Sequence, residues 1–362
     1  MNQTKLRTYD IIPNNNICFP IGTILAVEKL YDALHFSPVF SKHKKKGLDI
    51  NSLLRALISY KLTDNFSIDR AHDWINREEV LELFDLKQFN ERSLYRTLQT
   101  LGNNREEIIS DIQDIIFQLY NFPHTDVNMD WTSIILHGDK SPLGKHGYSR
   151  DHRPDKKQIT IGVSELSDPI NVPIGFTVEQ GNVNDQTHFK KTYHQINKRL
   201  QKNSLVVFDK GANSIGNISL IRTDEMQYLT AKKLNKSDDK IIEKFDQLET
   251  EMIDEEKGIY GYKIVKPSSV NYLYFSKTLQ KQQLESKARK ILRMIQEAKE
   301  IQESIDNKKK IPKRFLVNNV LVDVSYSIQT KLMTISEDEA IELLEEQSFP
   351  FYHSDCNIII NK

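Results

Sequence analysis

After a polar arm over residues 1–20, with Pro13 and Pro20, the apolar residues recur with helical spacing over 22–121, and beyond it they alternate. Leu53, Leu54, Leu57 and Ile58 fall on one helical face, followed by a turn at Thr63-Asp64-Asn65. Ser67 is placed to cap a short helix and Asn90 to cap another, whose stripe is Leu94, Leu98 and Leu101 and whose end is predicted at Gly102. Ile108, Ile109, Ile112, Ile115, Ile116 and Leu119 make a broad apolar face, and Pro123 closes the helical region. Residues 125–136 then set Val127, Met129 and Trp131 against Asn128, Asp130 and Thr132, the period of a strand. Further strand-like runs cover 158–165, 172–179, 204–209 and 227–231, with helices at 186–200 and 214–223. The order β-β-β-α-β-α-β predicts an α/β core, a meander continued by parallel strands on one sheet. Beyond 232, two β-type runs (260–265, 272–276) precede a long charged helix at 279–306, ended by Lys308-Lys309-Lys310 and Pro312. Residues 349–362 fit no element.

Composition narrows the class. With 38% hydrophobic and 28% charged residues, a chain of 362 residues can bury a real core, which excludes wholesale disorder. Lys plus Arg equals Asp plus Glu, 50 each, so any nucleic-acid contact must come from local patches. The two cysteines, Cys18 and Cys356, exclude a disulfide framework and a four-thiolate zinc site. No run approaches the ~18–20 apolar residues of a membrane span, and Met1-Asn2-Gln3-Thr4-Lys5 lacks a signal-peptide core. The expected location is therefore cytoplasmic, with no membrane partner.

Two acids stand out. Asp130 lies inside a strand, where β-propensity disfavours it. Asp209 ends the apolar run 205–208 and opens the turn Lys210-Gly211-Ala212-Asn213-Ser214, at the strand end where α/β sheets place their sites. On neighbouring strands the two carboxylates would face each other and repel, and a divalent cation would let both stay ionised. Hard oxygen ligands select Mg²⁺ or Mn²⁺. Such ions activate a water or 3′-hydroxyl and stabilise the leaving oxygen of a phosphodiester. The plain alternative is that each Asp is a strand-end or turn residue.

The loop after the first strand carries Lys140, Lys145, Arg150, Arg153, Lys156 and Lys157, offset by Asp139, Asp151 and Asp155. It suits either a DNA backbone or solvent. Its histidines, His137, His146 and His152, lack the spacing of a zinc site. Lys42-His43-Lys44-Lys45-Lys46 reads as a charged loop. Arg92, Tyr95, Arg96 and Gln99 lie away from the leucines of their helix, which fits the reading helix of a helix-turn-helix or a surface helix of a plain bundle. Gly211 and Gly216 do not form a phosphate-binding fingerprint, so no nucleotide cofactor is expected.

The chain resembles DDE transposases of the insertion-sequence IS4 type (IS1634-like). The matching blocks are Asp130-Trp131-Thr132-Ser133, the turn Gly181-Asn182-Val183-Asn184-Asp185, and Val206-Val207-Phe208-Asp209-Lys210-Gly211-Ala212-Asn213-Ser214. The resemblance implies an RNase H-like mixed sheet flanked by helices, an all-α N-terminal DNA-binding domain (1–122), a core beginning at 123–231 and an α+β insertion domain (232–335). It implies that Asp130 and Asp209 hold the metal, that the partner is double-stranded DNA at element ends and target, that the protein works as a homodimer on DNA, and that it sits with the nucleoid. It also implies a third acid in a helix of pattern Tyr-x2-Arg-x3-Glu-x6-Lys. The acidic run at 337–346, within the tail 336–362, lacks the preceding Tyr and Arg. The expectation is a product truncated or frame-shifted before that helix, with impaired strand transfer. A non-catalytic, inhibitory DNA-binding remnant and an RNase H-like metal nuclease are the alternatives.

Overall fold

The computed structural model describes residues 21–44, 46–63, 67–167, 171–234, 238, 240, 242, 249–307, 314–317, 320–323 and 357–361. The expected arm at 1–20, the turn at 64–65, the lysine run at 308–310 and the acidic run at 337–346 lie outside them. The chain forms two units. One comprises residues up to Thr125 with Ile161–Val178 and Thr192–Arg199; the other comprises Asp126–Thr160, Glu179–Lys191 and residues from Leu200 onward.

The first unit carries helices α1 (Ile21–Ala33), α2 (Ser37–Ser41), α3 (Ile50–Thr63), α4 (Ile68–Ile75), α5 (Glu78–Leu83), α6 (Glu91–Asn103) and α7 (Arg105–Leu119). Leu53, Ala56, Leu57, Ile75, Val80 and Leu94 pack into one core. The face of α3 centres on Leu53, Ala56, Leu57 and Tyr60, so Ile58, expected inside, is 37% exposed. Both expected caps form: Ser67 accepts from the Arg70 N–H (3.2 Å) and Asn90 from the Ser93 N–H (3.0 Å). Gly102 does not end α6. The helix runs on to Asn103, and the Asn104 N–H donates to the Thr100 and Leu101 carbonyls. Within this unit the buried Gln113 amide donates to the Ile174 carbonyl (2.6 Å), and Arg199 donates to Asp114 and Ser110, tying α7 to its neighbours.

The sheet is mixed. Its strands are β1 (Val127–Ile135), β2 (Gln158–Leu166), β3 (Val172–Gln180), β4 (Leu205–Phe208), β5 (Gln227–Ala231), β6 (Glu251–Asp254), β7 (Ile259–Lys266), β8 (Ser269–Ser276) and β11 (Asn357–Asn361), in the order β3-β2-β1-β4-β5-β11-β8-β7-β6. β1, β4 and β5 are parallel neighbours, as the β-α-β pattern requires. Helices α8 (Asp185–Ile196) and α9 (Ile215–Thr223) flank the β4 segment in sequence, and the first five strands make the expected RNase H-like core. Residues 260–265 and 272–276 pair as β7 and β8, and the long helix is α10 (Lys277–Asp306).

Four strands escaped the sequence reading. β6 is a short, largely exposed edge with no apolar face to announce it. β9 (Arg314–Val317) and β10 (Val320–Asp323) form a separate hairpin. β11 belongs to the segment that fitted no element, yet Ile358, Ile359 and Ile360 pair with β5 on one side and β8 on the other. A continuous β-branched run suits a strand paired on both edges.

Candidate active site

The register of β1 and β4 brings the two predicted acids together. Val127 pairs with Val206, Asn128 with Val207 and Met129 with Phe208. Asp130 and Asp209 each follow the last of these pairs, Asp130 still within β1 and Asp209 one residue past the end of β4, on neighbouring strands that pair about 4.8 Å apart. The face is also the same. Val127, Met129, Val206 and Phe208 are buried, and the intervening Asp130 and Asp209 are exposed on the other side. The Asp126 carboxylate fixes this register by accepting from the Leu205 N–H (2.7 Å). Beneath the acids, Trp131 (1% exposed) and Phe208 both pack against Phe189, with ring centroids 5.7 and 5.0 Å apart.

Asp130 accepts from the Trp131 N–H (2.8 Å), and Asp209 accepts from the Ala212 N–H (3.2 Å). The loop after β4 is held by a polar net. Asn217 donates to the Ala212 and Gln186 carbonyls, Gln186 donates to the Asn213 carbonyl, and Asn213 donates to the Ala231 carbonyl. These bonds draw the first turn of α8 against the Asp209 loop.

That turn carries a third acid, Asp185, quoted above within the Gly-Asn-x-x-Asp block but given no role there. Only tertiary packing sets it beside Asp209. Gly211 marks the approach, because a Cβ at this position would lie 2.5 Å from Asp185 Oδ2 and 3.1 Å from Asp209 Oδ1. Burial pushes the Asp185 carboxyl above its ordinary range. The charges of Asp209 and Asp130 push the same way, and Arg150 opposes them. Arg150 donates to Asp185 Oδ2 at 3.1 Å.

Asp209, Gly211, Asp185 and Arg150 line one cleft of about 490 Å³, with Thr132, Tyr148, Gln158, Thr160 and the Gly181–Asp185 turn, while Asp130 is not among its lining residues. Gln158 is 2% exposed, and its amide donates to the Tyr148 and Gly181 carbonyls while its Oε1 has no partner. Gly181 is required by close approach, since a Cβ there would collide with the Gln158 carbonyl oxygen. Tyr148 stands 86% exposed at the cleft. Neither Gln158 nor Tyr148 was singled out from sequence, where nothing but strand and loop composition surrounds them.

The cations distribute unevenly. Arg150 lines the cleft. Arg153 makes a two-pronged contact with Asp155 (2.9 and 2.8 Å), and its hydrogen bonds hold the Asp155 carboxyl down to about 2. Lys157 lies 3.3 Å from Asp139. Lys140 and Lys145 are exposed and Lys156 is half-exposed; the Lys145 main chain bridges to Gln158. Arg92 and Arg96 are exposed on α6 of the other unit, with Tyr95 and Gln99.

Among the described residues, the metal-capable side chains whose ligand atoms all lie within 4.8 Å of one another are His43, Glu107 and Asp111. Lys42 already pairs with both of those acids. Asp130, Asp185 and Asp209 stand wider apart as a set.

Below the sheet face, His188 is 1% exposed with Thr160 Oγ1 3.3 Å from its Nδ1, and burial lowers its pKa to about 4. The unfolded chain therefore binds the proton first. Stability contributed by neutral His188 is present above about pH 6.5 and is lost as pH falls toward 4, by about 3 kcal/mol in all. Urea melts at pH 7 and pH 4.5 are expected to show that loss in the parent and to show less of it in His188→Gln.

The site thus sets one acid within β1 and another just past the end of its parallel neighbour β4, where Asp209 and Asp185 open to a cleft that also holds Arg150. The family model described as "Transposase DDE domain" matches residues 121–337, more than half of the chain, and the protein belongs to that family. Among solved structures, the chain is similar to the piggyBac transposase synaptic complex with hairpin DNA (16% identity, 70% of this chain and 60% of that one, TM-score 0.32). It is also similar to the Mos1 transposase paired-end complex with left transposon end (12% identity, 46% of this chain and 58% of that one, TM-score 0.21). The chain thus spans about three-fifths of the length of each. No curated protein sequence matches it. DDE transposase domains use divalent metal ions, and the hard oxygen donors of this cleft fit such an ion. No helix among the described residues is long and apolar enough to cross a membrane.

Proposed function

We propose that the chain is a transposase of the IS4 type that binds element ends and performs metal-dependent phosphodiester cleavage and strand transfer. The observation that carries this reading is the β1–β4 register, in which Asp130 and Asp209 each directly follow the paired Met129 and Phe208. Asp130 and Asp209 hold Mg²⁺ or Mn²⁺. Bound there, the metal supplies Lewis-acid charge to the scissile phosphate and lowers the pKa of the attacking oxygen. The chain's own groups do the rest. The Asp209 loop net keeps the carboxylates aimed, Arg150 offers charge to a phosphate, and Tyr148 offers an exposed ring on which an unpaired base can stack.

Lys140, Lys145, Lys156 and Lys157 line the DNA path beside the cleft, with Arg153 held by Asp155. The N-terminal helices (1–122) recognise the ends through α6, the segment 123–231 holds the chemistry, and 232–335 is an insertion domain. Two ends require two protomers. Arg92→Ala with Arg96→Ala is expected to weaken binding to end-bearing DNA and to flatten its log–log salt dependence by about 2, close to 0.9 per lost phosphate contact. Fluorescence anisotropy over a salt series measures both.

The deciding experiment is cleavage of DNA carrying the element ends, with and without Mn²⁺. Metal-dependent cutting at the ends supports the proposal. Cutting indifferent to end sequence favours a metal nuclease, and end binding without any cutting favours a non-catalytic DNA-binding protein.

A further inference from the structure

The cleft contains more acid than the two strand-borne aspartates need. Asp185 lies near enough to Asp209 that a single carbon on Gly211 would touch both carboxylates. It opens α8 against the Asp209 loop, pinned there by the Gln186–Asn213 and Asn217–Gln186 hydrogen bonds. A carboxylate at a helix start has an ordinary explanation, since it complements the positive end of the helix. Two observations go beyond that. Asp185 turns its Oδ2 to Arg150 across the cleft (3.1 Å), and the cleft wall holds Gln158, nine-tenths buried and more, with an oxygen that has no partner. The pocket is thus built with an excess of oxygen acceptors and one arginine drawn into it.

Resting on the metal reading above, we infer that Asp185 is a third carboxylate ligand of the ion shared by Asp130 and Asp209, and that Arg150 is its counter-charge until the ion binds. Arg150 pairs with the same Asp185 oxygen that lies toward Asp209, and a divalent ion, with twice the charge and shorter contacts, would displace the guanidinium from it. Freed from Asp185, the Arg150 guanidinium becomes available to a DNA phosphate, whose two oxygens match its fork. Metal loading and backbone binding would then be coupled through one ion pair.

Mn²⁺ binding to the full chain, without DNA, tests this by loss of the free-ion paramagnetic signal. Asp185→Asn keeps the shape of the side chain and is expected to weaken Mn²⁺ binding by about 10-fold or more, with an unchanged circular dichroism spectrum. Arg150→Gln leaves every acid in place and is expected to tighten Mn²⁺ binding several-fold, which keeps the test open should the Asp185 variant not fold. Parent-like binding by Asp185→Asn, with binding lost in Asp130→Asn and Asp209→Asn, overturns the inference and leaves the two-acid site standing. Parent-like binding by all three acid variants overturns the two-acid site and the inference with it. Weaker Mn²⁺ binding by Arg150→Gln overturns the counter-charge role.

Discussion

Asp209→Asn is expected to reduce metal-dependent DNA cleavage by about 10³-fold, equivalent to about 4 kcal/mol of transition-state stabilisation. The substitution changes one oxygen to an amide and leaves the side-chain shape intact, so the Ala212 N–H still finds an oxygen acceptor. What it removes is one negative charge from the two acids that directly follow the paired Met129 and Phe208 of β1 and β4. Stability should move the other way. Asp209 and Asp130 both raise the Asp185 pKa, meaning that their charges repel it, and deleting one charge relieves that repulsion. A thermal melt at or above that of the parent, combined with lost cleavage, separates a ligand from a structural residue. Cleavage that survives Asp209→Asn would contradict the assignment.

Trp131→Ala is expected to cost about 3–5 kcal/mol in a urea melt. The indole is 1% exposed and lies against Phe189, which in turn meets Phe208, so the cavity would open directly under the two strands that carry the acids. Strand alternation makes the consequence functional as well as structural: Trp131 points into the core because Asp130, its neighbour, points out. Trp131→Phe keeps most of the volume and should cost less than about 1.5 kcal/mol. A loss under about 1 kcal/mol for the alanine variant would mean that the floor of the site is not packed as described.

The acids of the strands were legible because a period of two is a local signal. Val127, Met129 and Trp131 against Asn128 and Asp130 gave the face, and the apolar run ending at Asp209 gave the strand end. The caps at Ser67 and Asn90 were legible for the same reason, each being a side chain bonding three residues ahead. Asp185 and Gln158 were not legible as site residues, and Arg150 was legible only as one cation of a basic loop. Their proximity depends on where α8 and the loop after β1 come to rest, which is settled by non-local bonds such as Gln158 to Gly181 and Asn217 to Gln186. β11 was missed because three isoleucines in a row carry no period, and its partners β5 and β8 are remote in sequence. Ile58 was misplaced for a smaller reason: a helical stripe is broader than the face that finally packs, and its edge positions can turn either way.

The shared ion is tested most directly by anomalous diffraction from crystals of the full chain grown with Mn²⁺. A manganese peak is predicted at about 2.2 Å from one carboxylate oxygen of Asp130 and one of Asp209. Manganese found instead at His43, Glu107 and Asp111, with the cleft between β1 and β4 bare, would contradict the account.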